Sequence, residues 1–242
     1  MKIATILTLA LLLLAPSARG ENERKLPPDF LETGKKLYSQ GNEEKLIRHF
    51  FDDKESGFFV DIGCAEWNVD STTLYLEQKL GWKGIAVDAR VELRPAWQQR
   101  RPGSTFLNFI VTDHAGTKDK FYAVGGISST NPEHFKSFPL AKDVDLGKIR
   151  REVPTITLDK LLDDNAVKKI DFLLLDIELG EPAALRGFTI ERFKPELVCV
   201  EAGNAEVQKF IGPYFAEHGY ERIEAYLAYD TVNWYYKRKA VP

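Results

Sequence analysis

The sequence predicts an α/β fold with a central, mostly parallel seven-stranded sheet and an antiparallel C-terminal edge strand. Short apolar runs alternate with helix-like segments from Phe58 onwards, as is typical of βαβ units. The chain then closes with two strand-like segments that are broken only at Asp230. Because no helix separates these two segments, they are expected to form an antiparallel pair.

The first half of the chain contains most of the strand–helix units. Apolar residues at helical spacing predict a helix within residues 37–51, which packs ahead of the first strand. The elements expected after it are a strand at 58–62, a helix at 71–80, a strand at 84–88, a helix at 92–100 and a strand at 105–112.

Residues 113–154 interrupt this alternation. A short extra strand is expected at 120–124, and the composition of 125–132 predicts a loop. An insertion this long without clear periodicity is more often functional than inert. We therefore expect it to contribute to a binding site.

The second half returns to strands and helices. The continuous apolar run at 172–175 predicts a central strand that is covered on both faces. The elements expected around it are a segment at 156–162 leading into it, a helix opening at 182–186, a strand at 197–200, a helix at 205–218, and strands at 220–229 and 231–237.

The amino terminus has the three-part order of a secretory signal peptide. A positive Met1-Lys2 precedes an apolar stretch at 3–14, and the small residues Ala18 and Gly20 fit positions −3 and −1 of a cleavage site. We therefore expect a protein that is secreted or located in the cell envelope (periplasmic). The apolar stretch is short for a membrane span, so an uncleaved anchor is the alternative, and no stable span is expected after cleavage.

The rest of the chain is predicted to be an N-terminal arm and one domain. The arm covers residues 21–44 and the domain residues 45–240. A net charge of −3 gives no strong attraction to nucleic acid or to anionic membranes, so no nucleic-acid partner is expected. Two cysteines do not make a disulfide framework, and Cys64 and Cys199 are expected to be buried apolar residues.

Acidic residues follow four of the predicted strands. Parallel sheets bind ligands outside the carboxyl ends of their strands, so these acids are expected to meet in one crevice. They are Asp61, Asp88, Asp176 with Glu178, and Glu201. The 25 residues (88 − 63) from Gly63 to Asp88 are close to the roughly 20 expected before a ribose-binding acid. The pattern therefore predicts a nucleoside-type ligand.

The loop after the first strand narrows the choice of ligand. It has a single glycine, Gly63, with Ala65 and Trp67 at the following alternate positions. A dinucleotide site would have Gly-x-Gly-x-x-Gly to hold the pyrophosphate, which disfavours a nicotinamide-dependent oxidoreductase. A cofactor with a ribose and an adenine but no phosphate fits better, and S-adenosylmethionine is that cofactor.

Two blocks of the sequence resemble FkbM-type methyltransferases, and the resemblance spans about residues 45–237. The blocks are Phe59-Val60-Asp61-Ile62-Gly63 continuing through 71–77 and 80–84 to Asp88-Ala89, and 157–162 continuing through Asp171–Glu178 to Phe188. The resemblance implies a Rossmann-like class I methyltransferase fold that uses S-adenosylmethionine.

The resemblance also implies a cofactor-binding set, in which the first three residues line the methionine end and the fourth lies nearby. The set is Asp61, Gly63, Cys64, Glu66, Asp88 and Asp113. Within it Asp88 would take the ribose hydroxyls. Asp113 would contact the adenine amino group, unless it is simply a turn residue.

Asp176 and Glu178 would face the methyl acceptor as catalytic residues. Methyl transfer to a hydroxyl requires alignment of the reacting atoms and removal of the hydroxyl proton. These acids could remove the proton directly, or bind Mg²⁺ together with Glu201. Because acids at a helix start are also explained by electrostatics alone, the metal site stays open.

The sequence departs from the family pattern in three places. One is a glycine missing after the Asp-Ile-Gly turn, where the bulky Trp67 and Asn68 lie nearby. Another is Asp88-Ala89, where the family usually has Glu-Pro. Asp88 still supplies a carboxylate for ribose binding. The glycine expected at position 179 is found at Gly180 instead, so Leu179 would be strained if its position needs a positive φ. His134 lies in the irregular insertion and is expected to be a surface residue.

These observations predict an S-adenosylmethionine-dependent methyltransferase that methylates a hydroxyl oxygen of a sugar, a glycan or a small metabolite. The insertion would shape the choice of acceptor. An exported, non-catalytic binding or interaction protein on the same fold is the alternative, because S-adenosylmethionine is made in the cytosol and an exported enzyme would need a supply.

Overall fold

The computed structural model describes residues 37–138 and 144–240. The predicted signal peptide at 1–20 and residues 21–36 of the predicted arm lie outside the described residues. Ten strands are described: β1 (Phe58–Ile62), β2 (Lys83–Val87), β3 (Ser104–Leu107), β4 (Ile110–Val111), β5 (Lys118–Tyr122), β6 (Arg150–Ile156), β7 (Phe172–Leu175), β8 (Leu197–Glu201), β9 (Tyr220–Arg222) and β10 (Asn233–Arg238).

Helices connect most of these strands. The described α-helices are α1 (Glu43–Phe51), α2 (Leu74–Leu80), α3 (Arg94–Arg100), α4 (Leu146–Ile149), α5 (Leu158–Asp164), α6 (Glu181–Arg186), α7 (Ile190–Phe193) and α8 (Ala205–Glu217). Polar side chains cap three of them at the N-terminus. Asp145 accepts a hydrogen bond from the Gly147 N–H in α4, Thr157 accepts one from the Lys160 N–H in α5, and Asn204 accepts one from the Glu206 N–H in α8. No helix in the described ranges has the length and apolar character needed to cross a membrane.

Seven strands form the main sheet in the order β3-β2-β1-β7-β8-β10-β9. The first five are mutually parallel, whereas β10 is antiparallel to both β8 and β9. The predicted α/β class and the antiparallel C-terminal strand are therefore confirmed. That strand lies second from the edge, because β9 pairs with its outer side.

The core is divided between the two faces of the sheet. Alternate residues of a strand point to opposite faces: Val60 and Leu173 belong to one buried cluster, whereas Phe59 and Phe172 belong to the other. Both clusters include residues of β1, β7 and β8. The central strands are thus covered on both sides, which explains their continuous apolar sequences.

Some predicted boundaries are wrong. The strand predicted at 105–112 is divided into β3 and β4, and β4 leaves the main sheet to pair with β6. The strand predicted at 220–229 ends at Arg222, and a 3-10 turn follows at Glu224–Ala228.

The insertion folds as a small sheet of its own. Its order is β4-β6-β5, with β5 antiparallel to β6. Two 3-10 turns, at Gly125–Ile127 and Pro132–Ser137, lie between β5 and the residues that are not described. The Ser129 hydroxyl in this segment donates a 2.7 Å hydrogen bond to the Glu178 carbonyl, which ties the insertion to the loop after β7.

Both cysteines are buried free thiols, as expected from the sequence. Cys64 follows β1 and Cys199 lies in β8, and β7 lies between these two strands. Two interstrand steps of roughly 4.8 Å place them too far apart for a disulfide.

Candidate active site

A cavity of about 830 Å³ opens at the carboxyl ends of the central strands. Its wall includes Gly63 after β1, Asp88 after β2, Asp176 after β7 and Glu201 at the end of β8. Acidic residues dominate the wall: among the described residues that line it, ten are Asp or Glu and one, Arg90, is basic. A cavity of this charge favours cationic ligands over phosphate-bearing ones.

The Gly63 turn forms the floor of the cavity and can be built only with glycine. Its φ is +93°, and a Cβ at this position would lie 1.7 Å from the carbonyl oxygen of Asp176. The N–H groups of Gly63 and Cys64 both donate to the carbonyl oxygen of Val87. The turn is therefore held against the end of β2 and approaches the end of β7 closely.

Asp61 lies below this turn and is almost fully buried. One of its carboxylate oxygens accepts a 2.7 Å hydrogen bond from the Thr73 hydroxyl, while Oδ1 has no hydrogen-bond partner. Burial is the main cause that raises the pKa of Asp61 to about 6, against the lowering effects of Thr73 and Arg101. An unpartnered, buried carboxylate oxygen on a cavity wall is available to a ligand.

Asp88 is buried at the end of β2, and both of its carboxylate oxygens are engaged. Oδ1 accepts hydrogen bonds from the backbone N–H and the Nε of Arg90, at 2.8 and 3.1 Å. Oδ2 accepts one from the Ala65 N–H and one from Arg90 Nη2, both at 3.1 Å. The predicted ribose acid therefore lies in the cavity with a guanidinium folded back onto it.

Two further members of the predicted cofactor set line the cavity. Cys64 is buried beside the Gly63 turn, and Glu66 is exposed with its carboxylate 3.4 Å from Arg90 Nη1. The bulky Trp67 side chain packs against Trp97 and its neighbours, and it is not among the described lining residues. The loop therefore accommodates the indole without filling the cavity.

Asp113 is placed differently from the rest of the predicted cofactor set. Its half-exposed carboxylate pairs with His114 at 3.0 Å and with Arg186 at 3.2 Å. Thr112 lines the cavity, but Asp113 is not among the described residues that do. The adenine contact predicted for Asp113 therefore has no support from this geometry.

The predicted catalytic acids meet Glu201 at the far wall of the cavity. Carboxylate oxygens of Asp176, Glu178 and Glu201 all lie within 4.8 Å of one another. Burial raises the pKa of Glu178 to about 8 and that of Glu201 to about 8, and neighbouring carboxylates add to both shifts. Burial and then the Glu201 charge raise the pKa of Asp176 well above its usual range. At neutral pH Glu178 and Glu201 are therefore largely protonated.

The loop that carries Glu178 has a strained backbone. Glu178 has φ +53° and Leu179 has φ +78°, and both are in the left-handed region that favours glycine. The strain expected at Leu179 from the displaced glycine is therefore present. Glu181 helps to hold this turn, because its Oε1 accepts a 2.9 Å hydrogen bond from the Ile177 N–H. Burial raises the pKa of Glu181 to about 7.

The expectation that His134 is a surface residue is wrong. Its side chain is 8% exposed, and its Nε2 lies 3.0 Å from Glu178 Oε2. Burial lowers the pKa of His134, so a neutral imidazole faces the Glu178 carboxyl. The 3-10 turn at Pro132–Ser137 places it there, and the sequence spacing did not indicate this.

Comparison with known proteins agrees with this geometry. The model of the methyltransferase FkbM domain matches residues 56–225, which is most of the chain. The chain belongs to the FkbM methyltransferase domain family. The predicted family is thus confirmed, and the matched range begins just before β1 and ends just after β9.

Solved structures give distant likenesses to this FkbM domain. A methyltransferase FkbM from Methylobacillus flagellatus KT is 14% identical with a TM-score of 0.48, over 76% of this chain and 44% of that one. The chain therefore spans less than half of that protein. A precorrin-6y C5,15-methyltransferase from Geobacter metallireducens GS-15 is 9% identical with a TM-score of 0.47, over 86% and 92%.

A SAM-dependent O-methyltransferase from Thermotoga maritima is 11% identical with a TM-score of 0.46, over 88% of this chain and 71% of that one. A search of the curated proteins returned no match.

Two arginines of the FkbM domain were missed by the sequence reasoning. Arg101 is fully buried, and its Nε donates to Glu77 while Nη2 donates to the Thr73 hydroxyl that also contacts Asp61. Arg90 contacts Asp88. A buried arginine leaves no periodic signal, but the place of Arg90 two residues after Asp88, the predicted ribose acid, is a signal that could have been used.

Proposed function

We propose that this FkbM domain is an S-adenosylmethionine-dependent methyltransferase that methylates a hydroxyl oxygen of a sugar, a glycan or a small metabolite. The acidic cavity beside the Gly63 turn is the observation that carries the proposal. Eight of the ten acidic residues on the wall lie outside the largely protonated pair Glu178 and Glu201, and they face one basic residue. This excess of acids matches S-adenosylmethionine, which bears a sulfonium cation and no phosphate. A pyrophosphate would meet repulsion there.

The cofactor would lie across the ends of β1 and β2. The ribose hydroxyls would donate to Asp88, and the methionine end would lie over Gly63 and Cys64 near the unpartnered Oδ1 of Asp61. Ile110 and Val111 offer an apolar wall for the adenine. Gly63 and Asp88 follow two neighbouring parallel strands, as is usual for ligand sites in such sheets, whereas Ile110 and Val111 belong to β4 of the second sheet.

The methyl group would then face Asp176 and Glu178. The acceptor oxygen attacks the methyl carbon, the carbon–sulfur bond breaks, and its electron pair stays on sulfur, which becomes a neutral thioether. The hydroxyl proton passes to a carboxylate, for which Glu178 is best placed. Its pKa of about 8 in the ligand-free site is high for a base, but a nearby sulfonium would lower it. Cofactor binding would therefore generate the base.

The acceptor is proposed to be neutral. An anionic group would have to enter a cavity whose one basic residue among the described lining residues already pairs with Asp88. Neutral hydroxyl compounds carry no such penalty. The Gly125–Ile127 turn and Phe138 of the insertion line the same cavity, which supports a role of the insertion in acceptor choice.

A Mg²⁺ ion at Asp176, Glu178 and Glu201 is a second candidate for removing the proton. The observation that favours it is that three carboxylate oxygens lie within 4.8 Å of one another, which suits a hard cation. A bound ion would replace the protons on these acids. The melting temperature should then rise in millimolar Mg²⁺ at pH 7. An unchanged melting temperature would mean that a carboxylate removes the proton without a metal ion.

Calorimetric titration with S-adenosylhomocysteine tests the cofactor assignment. We expect binding to the wild-type domain, an affinity lower by at least about tenfold in Asp88→Asn because hydrogen bonds to a charged acceptor are lost, and no binding of NAD. If neither the wild-type domain nor its Arg90→Ala variant binds S-adenosylhomocysteine, the enzyme proposal fails and the alternative, an exported binding or interaction protein, is favoured.

We also propose that residues 1–20 direct export and are removed, which leaves a mature protein that begins at Glu21 in the cell envelope or outside the cell. The charged start, the apolar stretch and the small residues before position 21 support this. Mass spectrometry of the native N-terminus tests it, and an intact Met1 or Lys2 start would contradict it.

A further inference from the structure

The Arg90 side chain forms hydrogen bonds with the carboxylate of Asp88, which the proposed cofactor needs for its ribose. Its Nε contacts Oδ1 of Asp88 and its Nη2 contacts Oδ2, each at 3.1 Å, and its own backbone N–H contacts Oδ1 at 2.8 Å. The fourth contact, at Oδ2, comes from the Ala65 N–H at 3.1 Å. A carboxylate has about four acceptor positions, so none is left for a ribose.

We propose that the Arg90 side chain is a latch on the cofactor site, which closes over Asp88 when the site is empty and must be displaced when the cofactor binds. This inference rests on the proposed function. Two of the four contacts to Asp88 come from the backbone and stay in place when the side chain moves. The guanidinium supplies the other two, one on each oxygen. Its departure would free two positions for the two ribose hydroxyls.

Glu66 provides a place for the displaced guanidinium. Its carboxylate is half exposed and already lies 3.4 Å from Arg90 Nη1, so the arginine can turn towards Glu66 without losing an ionic partner. Arg90 itself is 6% exposed and lines the cavity. Among the described lining residues it is the one cation, so no other basic residue of the wall replaces it on Asp88.

The latch makes two measurable quantities move in opposite directions. Removal of the guanidinium leaves Asp88 without its charge partner, so the empty protein should be less stable. The same change removes the competitor of the ribose, so the affinity for the cofactor should rise. A purely structural role of the ion pair would lower both the stability and the affinity.

The test is calorimetric titration of wild-type, Arg90→Ala, Arg90→Lys and Glu66→Ala proteins with S-adenosylhomocysteine, together with their ligand-free melting temperatures. Arg94→Ala is the matched control, since Arg94 is an exposed arginine close by in the chain. We expect Arg90→Ala to bind about tenfold more tightly and to melt several degrees lower. Arg90→Lys keeps the positive charge but loses the two-pronged guanidinium, so its affinity and melting temperature should lie between those of the wild-type protein and Arg90→Ala. It also provides the test if Arg90→Ala does not fold.

Glu66→Ala should weaken binding, because the displaced guanidinium loses its partner. Wild-type binding with equal or weaker binding by both Arg90 variants would overturn the latch and leave the proposed function standing. If neither wild-type protein nor the Arg90 variants bind, the proposed function fails with it. Binding that is detected only in the Arg90 variants would support the latch.

Discussion

At the scale of single residues, the site is defined by acids that burial and mutual repulsion keep protonated. Glu178 and Glu201 have pKa values of about 8 and Glu181 one of about 7. The sequence indicated Glu178 and Glu201, because each lies at or just after the end of an apolar strand, but it did not single out Glu181 at the start of α6. It did not indicate their protonation, which depends on burial and on distances across the sheet.

A prediction at this scale concerns protons released on cofactor binding. The sulfonium of S-adenosylmethionine would favour the ionised form of Glu178 and its neighbours, whereas neutral S-adenosylhomocysteine sulfur would not. Titrations at pH 7.5 in buffers of different ionisation enthalpy should therefore show more proton release with S-adenosylmethionine. Equal proton release with both ligands would contradict the proposed proximity of sulfonium and carboxylates.

At the scale of elements, the central strands were predictable, whereas the division of one strand at residues 105–112 was not. The strands β1, β7 and β8 are buried on both faces of the sheet, so their sequences are clearly apolar. The division of residues 105–112 into β3 and β4 has no such signal, because Ile110 and Val111 continue the apolar character while changing their partner strand to β6. The strained turn at Leu179 was indicated by the displaced glycine, since backbone conformation there depends on one residue.

Gly63→Ala should prevent the approach of β1 to β7. The added Cβ would meet the Asp176 carbonyl oxygen at 1.7 Å, and we expect a loss of at least about 3 kcal/mol of unfolding free energy in urea. Gly116→Ala is the matched control, because Gly116 has a similar φ of +84° with nothing within 4 Å. It should cost about 1 kcal/mol. Equal losses in the two variants would show that backbone strain alone, and not the close approach, requires Gly63.

Ser129→Ala should loosen the contact between the insertion and the active-site loop. It removes the 2.7 Å hydrogen bond to the Glu178 carbonyl, and we expect a loss of about 1 kcal/mol with faster hydrogen exchange in β5 and around Glu178. In the control Ser137→Ala, the lost hydroxyl donates to the nearby His134 carbonyl in the same turn, so exchange around Glu178 should stay unchanged. If hydrogen exchange around Glu178 is unchanged in Ser129→Ala, the Ser129 hydrogen bond does not stabilise the contact between the insertion and this loop.

At the scale of the whole molecule, the fold class follows from the sequence, but the acidic character of the cavity depends on which distant segments meet in the folded chain. Residues as distant in sequence as Glu43 and Asp230 line the same wall as Asp176. No local pattern reports that these segments meet. A sheet whose strand ends carry so many acids stores electrostatic repulsion, which affects the stability of the entire domain.

The stability of the ligand-free protein should therefore fall as the pH rises. The folded pKa values of Glu178, Glu201 and Glu181 lie above the ordinary value of 4.5, so between about pH 4.5 and 8 the folded state binds more protons than the unfolded state. Their contribution is complete below pH 4.5 and is lost as the pH passes 8. Calorimetry should show a melting temperature that decreases over this range.

Glu178→Gln should flatten this pH dependence and raise the melting temperature at pH 8 by a few degrees, roughly as expected for 1 kcal/mol. The exposed Glu217→Gln is the control, and it should leave the slope unchanged. A slope that is the same in wild-type protein and Glu178→Gln would contradict the raised pKa of Glu178.

The most direct test of the central claim is a crystal structure of the protein with S-adenosylhomocysteine. The adenosyl group should lie in the cavity between the Gly63 turn and Asp88, with both ribose hydroxyls within hydrogen-bonding distance of the Asp88 carboxylate and the sulfur directed towards Glu178. A ligand bound outside this cavity, or a ribose that does not contact Asp88, would contradict the account.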